Sequence, residues 1–236
     1  MPIAYACICP PAVHPDGSRT ADAVERMAEE LRAAAPDLAL VVTPPSRERR
    51  NAIGVATQGG AIDVELARRV LDAAEALTMP SAELAAPDAL ACPKAVREAL
   101  GGARLVVLSA SVLAAREHVE LGRAIARVLQ DDERRIAIVC CGTLASARGP
   151  GEPGDVFDKH FRLAIEDWDV KWLAALDAET RRRAHEDCAA QTAVLMGALS
   201  RSRIQPRVLS YEAPEGVGLL VAAVDALGDR RKKRGV

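Results

Sequence analysis

The sequence predicts an α/β fold: a single domain over residues 1–228 whose central sheet, mostly parallel or mixed, carries helices on both faces. Short runs rich in Val, Ile and Leu alternate along the chain with amphipathic helical stripes, the order from which doubly covered sheets are built. Half of the 236 residues are hydrophobic but only 3% are aromatic, so the core must be assembled from Ala, Val, Leu and Ile, which suits helices packed closely on a sheet. The length is ordinary for one large α/β domain.

The elements follow in order. Ile3 to Cys9 is a continuous apolar run of strand length, and Val24, Met27, Ala28 and Leu31 repeat at the spacing of one helix face. A second strand is expected over Leu38 to Thr43, then a helix with Val64, Ala67, Val70, Leu71, Ala74 and Leu77 on its buried side. Leu105 to Ser109 reads as a strand, Leu121, Ala124, Ile125, Val128 and Leu129 as a helix face, and Ile136 to Cys141 as a fourth strand. Phe157, Phe161, Ala164, Ile165 and Trp168 form a stripe that gathers both phenylalanines and one of two tryptophans, so the core is expected to be thickest there. Arg207 to Tyr211 and Gly218 to Val224 supply two last strands.

A net charge of -2 and a pI near 6.1 create no field favouring nucleic acid or an anionic membrane. The basic run Arg230 to Arg234 belongs to a tail, 229–236, expected to be a disordered, solubilising end. No apolar stretch reaches the roughly 18 residues of a membrane span, and the first residues lack the basic flank and apolar run of a signal peptide. A cytoplasmic protein is therefore expected. Six cysteines in a chain of this length do not make a disulfide framework. Cys7, Cys9, Cys140 and Cys141 fall in strand-like runs, where buried free thiols are the expectation, and neither pair has the two-residue spacer of common zinc sites.

In sheets of this kind ligands bind beyond the carboxyl ends of strands. Four exits define the expected pocket: Cys9-Pro-Pro-Ala-Val-His14, Thr43-Pro-Pro-Ser46, Cys141-Gly-Thr-Leu-Ala-Ser146 and Tyr211-Glu212. Their Gly, Pro, Ser and Thr content makes tight turns. The segment Arg148 to Gly154 reads as a flexible rim beside them.

Two of these exits carry a resemblance. Ser210-Tyr-Glu-Ala-Pro-Glu-Gly-Val-Gly218, with Val139-Cys-Cys-Gly-Thr-Leu-Ala-Ser146 before it, resembles the class III extradiol ring-cleavage dioxygenases, the superfamily of the protocatechuate 4,5-dioxygenase catalytic subunit and the Memo-like proteins. The similarity runs from Ile3 to about Val224. Bacterial members end in a segment close to Ser-Tyr-Glu-Gly-Pro-Phe-Gly-Val-Gly, and earlier strands end in Pro-His-Pro-Pro, Ser-Pro-His and Gly-Asp-Leu-Ser-His motifs. The resemblance implies an iron site of two histidines and a carboxylate, open to a catechol-type substrate and dioxygen, with a further histidine as acid/base. This chain departs from it: Cys9 or Pro11 stands at the first histidine, Pro45 at the second, and Thr143 and Ser146 at the aspartate and histidine of the later motif. Glu212 alone matches a family ligand. Proline has no side-chain donor atom, and serine does not replace imidazole as a proton shuttle near neutral pH.

The expectation is a non-catalytic homologue that serves as a structural or regulatory subunit or binds a small ligand, such as an aromatic one, with no cofactor. The alternative is a metal-dependent dioxygenase or other metalloenzyme rebuilt on Cys9, His14 and Glu212 around Fe(II) or Zn(II). Glu212 also has a plain reading as the cap of a turn before Pro214. A third reading makes Cys141 a nucleophile, although no histidine is placed by sequence as its base. His160 is a candidate for the pocket edge or for a helix surface; His118 and His185 read as solvated helix positions, and Asp155 and Asp158 as charges at a helix N-terminus. Edge strands lead to an expected dimer, or a hetero-oligomer with a related catalytic subunit.

Overall fold

The computed structural model describes residues 3–12, 17–46, 49–85, 90–146 and 153–229. Among these, eight strands form one sheet in the order β4-β3-β5-β2-β6-β1-β8-β7. The strands are β1 (Ile3–Cys9), β2 (Leu38–Thr43), β3 (Ile53–Ala56), β4 (Ser81–Leu84), β5 (Arg104–Ser109), β6 (Ile136–Cys141), β7 (Ser202–Glu212) and β8 (Leu219–Asp229). The sheet is mixed. β5, β2, β6 and β1 run parallel, while β8 is antiparallel to both β1 and β7, and β3 is antiparallel to β5. β7 therefore points the same way as β1, and the ends of β1, β2, β5, β6 and β7 share one edge.

Alternation along the central strands sorts side chains by size. Ile8 of β1, Leu38, Leu40 and Val42 of β2, and Ile136 and Ile138 of β6 face one layer; Cys7, Cys9, Ala39, Val41, Ala137, Val139 and Cys141 face the other. Both sets are buried, as expected where helices cover both sides of a parallel core. The small side chains meet α1 (Arg19–Ala34) and α3 (Lys94–Leu100) through Ala23, Met27, Leu31 and Val96. The large ones meet α2 (Val64–Ala76), α4 (Ala115–Val128), α5 (Pro153–Glu166), α6 (Val170–Ala174) and α8 (Ala189–Ala198); α7 (Ala178–Ala184) follows α6.

The phenylalanine stripe is core as expected: Phe161 is fully buried, 5.7 Å from Phe157 and edge-on to Trp172 at 6.3 Å. α4 and α8 touch backbone to backbone. A Cβ on Gly122 would lie 2.1 Å from the Val194 carbonyl, and one on Gly197 would lie 2.1 Å from that of Val119, so only glycine fits at this crossing. Among the described residues, no helix is long and apolar enough to cross a membrane. The expected flexible rim lies almost wholly outside the described residues, as do His14 and the basic tail from residue 230 onward.

Candidate functional site

The segment after β6 is held by every side of its surroundings. Gly142 N–H donates to the Cys9 carbonyl (3.1 Å), Thr143 N–H to Asp187 Oδ1 (2.6 Å), Leu144 N–H to the Gly218 carbonyl (2.8 Å), Ala145 N–H to Asp158 Oδ1 (2.8 Å), and Ser146 N–H to the Ala184 carbonyl (3.0 Å). Gly218 N–H returns a bond to the Ala145 carbonyl at 2.9 Å. The two segments singled out in the sequence thus lie side by side. Gly142 permits this closeness, since a Cβ there would lie 2.6 Å from the Asp187 carbonyl. Irregular backbone this deep must find partners for its polar groups, and here each N–H from Gly142 to Ser146 has one.

The side chains at the expected site are engaged as well. Thr143 Oγ1 donates to Asp187 Oδ1 (3.1 Å), and Ser146 Oγ to the His185 carbonyl (3.2 Å). Burial lifts the Asp187 carboxyl above its ordinary range, against the two Thr143 bonds that favour its charged form. Asp158, read from sequence as a helix N-terminal charge, is instead buried within α5. It accepts Ala145 N–H and, at 2.9 Å, the hydroxyl of Tyr211. Tyr211 also lies under the Arg162 guanidinium, 5.3 Å from its ring centre.

Glu212 is at the pocket edge of the sheet, where its carboxylate closes α1. Its Oε2 accepts Thr20 N–H and Thr20 Oγ1–H, both at 2.7 Å, and its Oε1 accepts Arg19 Nε–H at 3.3 Å. Ser18 Oγ caps the same end by accepting Ala21 N–H at 3.0 Å. The Thr20 hydroxyl, then its amide, then Arg19 hold the Glu212 carboxyl below the usual range.

The remaining expected residues do not meet at one point. Pro45 is half-buried; its neighbour Ser46 donates its N–H to Ser109 Oγ (2.8 Å), which donates to the Pro44 carbonyl (3.0 Å). His160 is exposed on the rim of a groove of about 510 Å³ lined by Val156, Phe157, Trp172, Leu176 and Arg183, with its ring edge-on to Trp172 at 6.4 Å. None of the strand-exit residues lines that groove. Cys9 is buried on the α1 side of the sheet with its sulfur 3.8 Å from Cys141 Sγ. Hydrogen bonding from Cys9 and Cys92, and then burial, push the Cys141 thiol well up. Among the described residues, no group of three or more His, Cys, Asp and Glu side chains is arranged to hold a metal ion.

His118 departs from its sequence reading as a solvated position. It is fully buried on α4, accepting Ser111 N–H at Nε2 (3.2 Å), so its proton is on Nδ1, which donates to the Ala114 carbonyl (3.1 Å). Burial lowers its pKa to about 4. His185 is exposed, as expected, and ends α7 with a left-handed backbone. Thr20 and Asp187 go unmarked in the sequence, and Asp158 is marked only as a helix charge, because no local pattern marks a polar residue whose partner lies far along the chain.

No known family profile matches the chain. It is 24% identical over 136 residues to Protein CA_C1420 of Clostridium acetobutylicum, an alignment that takes in 55% of this chain and 29% of that protein. The chain thus spans about three-tenths of the length of this curated relative. A crystal structure of the uncharacterized protein JW3007 from Escherichia coli K12 superposes with a TM-score of 0.64 at 16% identity, over 93% of this chain and 99% of that one. The chain shares its fold.

Proposed function

We propose that the protein is a non-catalytic relative of the class III extradiol dioxygenases, which works as a structural or regulatory subunit or as a binder of a small ligand. The observation that carries this reading is Glu212. The one residue that matches a family metal ligand has its carboxylate directed into α1, with both oxygens engaged by Thr20 and Arg19. The hydroxyls of Thr143 and Ser146, at the positions of the family's aspartate and histidine, are likewise turned onto protein groups.

The test is to load the purified chain with Fe(II) under anaerobic conditions and follow catechol and aminophenol ring opening by absorbance after oxygen is admitted. No turnover is expected, and Glu212→Ala should leave the metal content per chain unchanged. Ring cleavage overturns the reading. Stoichiometric Fe(II) or Zn(II) lost with Glu212→Ala would instead support the rebuilt metalloenzyme. A subunit role adds a second expectation, association through a sheet edge, of which β7 is the longer. Sedimentation at working concentration, alone and with a related catalytic chain, reads that directly.

A further inference from the structure

Two cysteines far apart in sequence meet at the ends of the two central strands. Cys9 and Cys141 are the last residues of β1 and β6 and are register partners, so their side chains leave the same face of the sheet. Their sulfurs are 3.8 Å apart and fully buried. Cys92, just ahead of α3, packs into the same buried layer.

We infer that Cys9 and Cys141 form a redox pair that hydrogen peroxide oxidises to a Cys9–Cys141 disulfide. Neighbouring strands stand about 4.8 Å apart, within the Cα separation of roughly 4.4–6.8 Å that a disulfide bridges, so closing the pair needs side-chain rotation and little backbone movement. The burial of both thiols selects a small, uncharged oxidant and excludes bulky disulfides.

Cys9 sulfur attacks one peroxide oxygen, forming an S–O bond as the O–O bond breaks; hydroxide leaves and takes up the Cys9 proton as water. Cys141 sulfur then attacks Cys9 sulfur, forming the S–S bond while the S–O bond breaks, and the departing hydroxide takes up the Cys141 proton as a second water. In sum, two thiols and one peroxide give one disulfide and two waters. The bridge staples the Cys9–Pro10–Pro11 turn to the segment after Cys141, two of the exits around the candidate pocket. The other cysteines serve as internal controls. Cys140 donates to the Gln191 carbonyl (3.2 Å) and Cys188 lies against Thr192 Oγ1 (3.6 Å), both on the opposite face, and burial pushes the Cys7 thiol up.

The experiment exposes the wild-type chain to a few equivalents of hydrogen peroxide, counts thiols after denaturation, and maps peptides without reduction. The count should fall from six to four as two thiols combine, with a mass loss of about 2 Da, a Cys9–Cys141 cross-linked peptide, and full recovery in dithiothreitol. Cys92→Ser should cross-link at the wild-type rate, and Cys141→Ser should not cross-link at all. Six surviving thiols, oxygen adducts without a cross-link, or any other pairing would each overturn the redox pair. The wild-type map needs no variant to fold.

Discussion

The two faces of the sheet are built differently from the same strands. One face presents Ile, Leu and Val to a group of helices that includes α5 with its buried phenylalanines and the interlocked pair α4 and α8. The other presents mainly Ala, Val and Cys to α1 and α3. Its polar devices include the Tyr5–Glu30–Arg207 network joining β1, α1 and β7, the Glu212 cap and the thiol corner. The first face has greater volume to lose and less freedom to absorb a change in shape.

The largest expected effect tests the interlock. Gly122→Val places side-chain atoms against the backbone of α8, which cannot rotate away as a side chain would, so a loss of about 5 kcal/mol is expected in urea unfolding, the top of the range for one substitution. A loss below about 1 kcal/mol would mean that the helices separate without cost. Next come the adjacent, fully buried residues Ile138 and Val139, which face opposite layers. Ile138→Ala should cost about 4 kcal/mol and Val139→Ala about 2 kcal/mol. Equal losses would remove the asymmetry.

His118, on a helix of the first face, adds a pH dependence. Its folded pKa of about 4 lies below the ordinary 6.5, so the unfolded chain binds the proton first. The stability from keeping it neutral is complete above about pH 6.5 and is lost as the pH falls towards 4, by about 3 kcal/mol at the limit. His118→Gln should flatten that slope in urea midpoints taken between pH 7 and 4; an unchanged slope would assign it to other groups. The smallest effect belongs to the second face. Glu212→Gln weakens the cap of α1 by about 1 kcal/mol at pH 7. Because the folded carboxyl titrates below its unfolded value, this contribution is present above that value and lost as the pH falls through the folded one. The variant should therefore match wild type in acid, and a constant gap at all pH values would exclude the charge as the cause.

Legibility from sequence followed the same division. β1, β2 and β6 have the expected bounds because fully buried parallel strands are continuous apolar runs. β3 and β4 were missed, being four-residue strands, the second with Ser and Glu in it. α8 escaped for the opposite reason: it is buried all round, so its apolar residues trace no stripe. At the site, the exits were placed on one edge by topology, and the Val139–Ser146 and Leu209–Gly218 segments do meet. Their hydrogen-bond partners, Asp158 and Asp187, come from helices and loops whose positions only tertiary packing fixes. The thiol corner was invisible too, because strand register decides which cysteines face each other.

The place of β1 in the sheet carries a consequence for synthesis. Among the described strands it is made first, yet its two neighbours, β6 and β8, come from residues 136–141 and 219–229. While the ribosome works through the intervening length, an apolar ribbon with both hydrogen-bonding edges bare must wait beside a half-finished sheet. In that interval, more than in the finished fold, the bare edges of the strand are open to pairing with other copies of the chain.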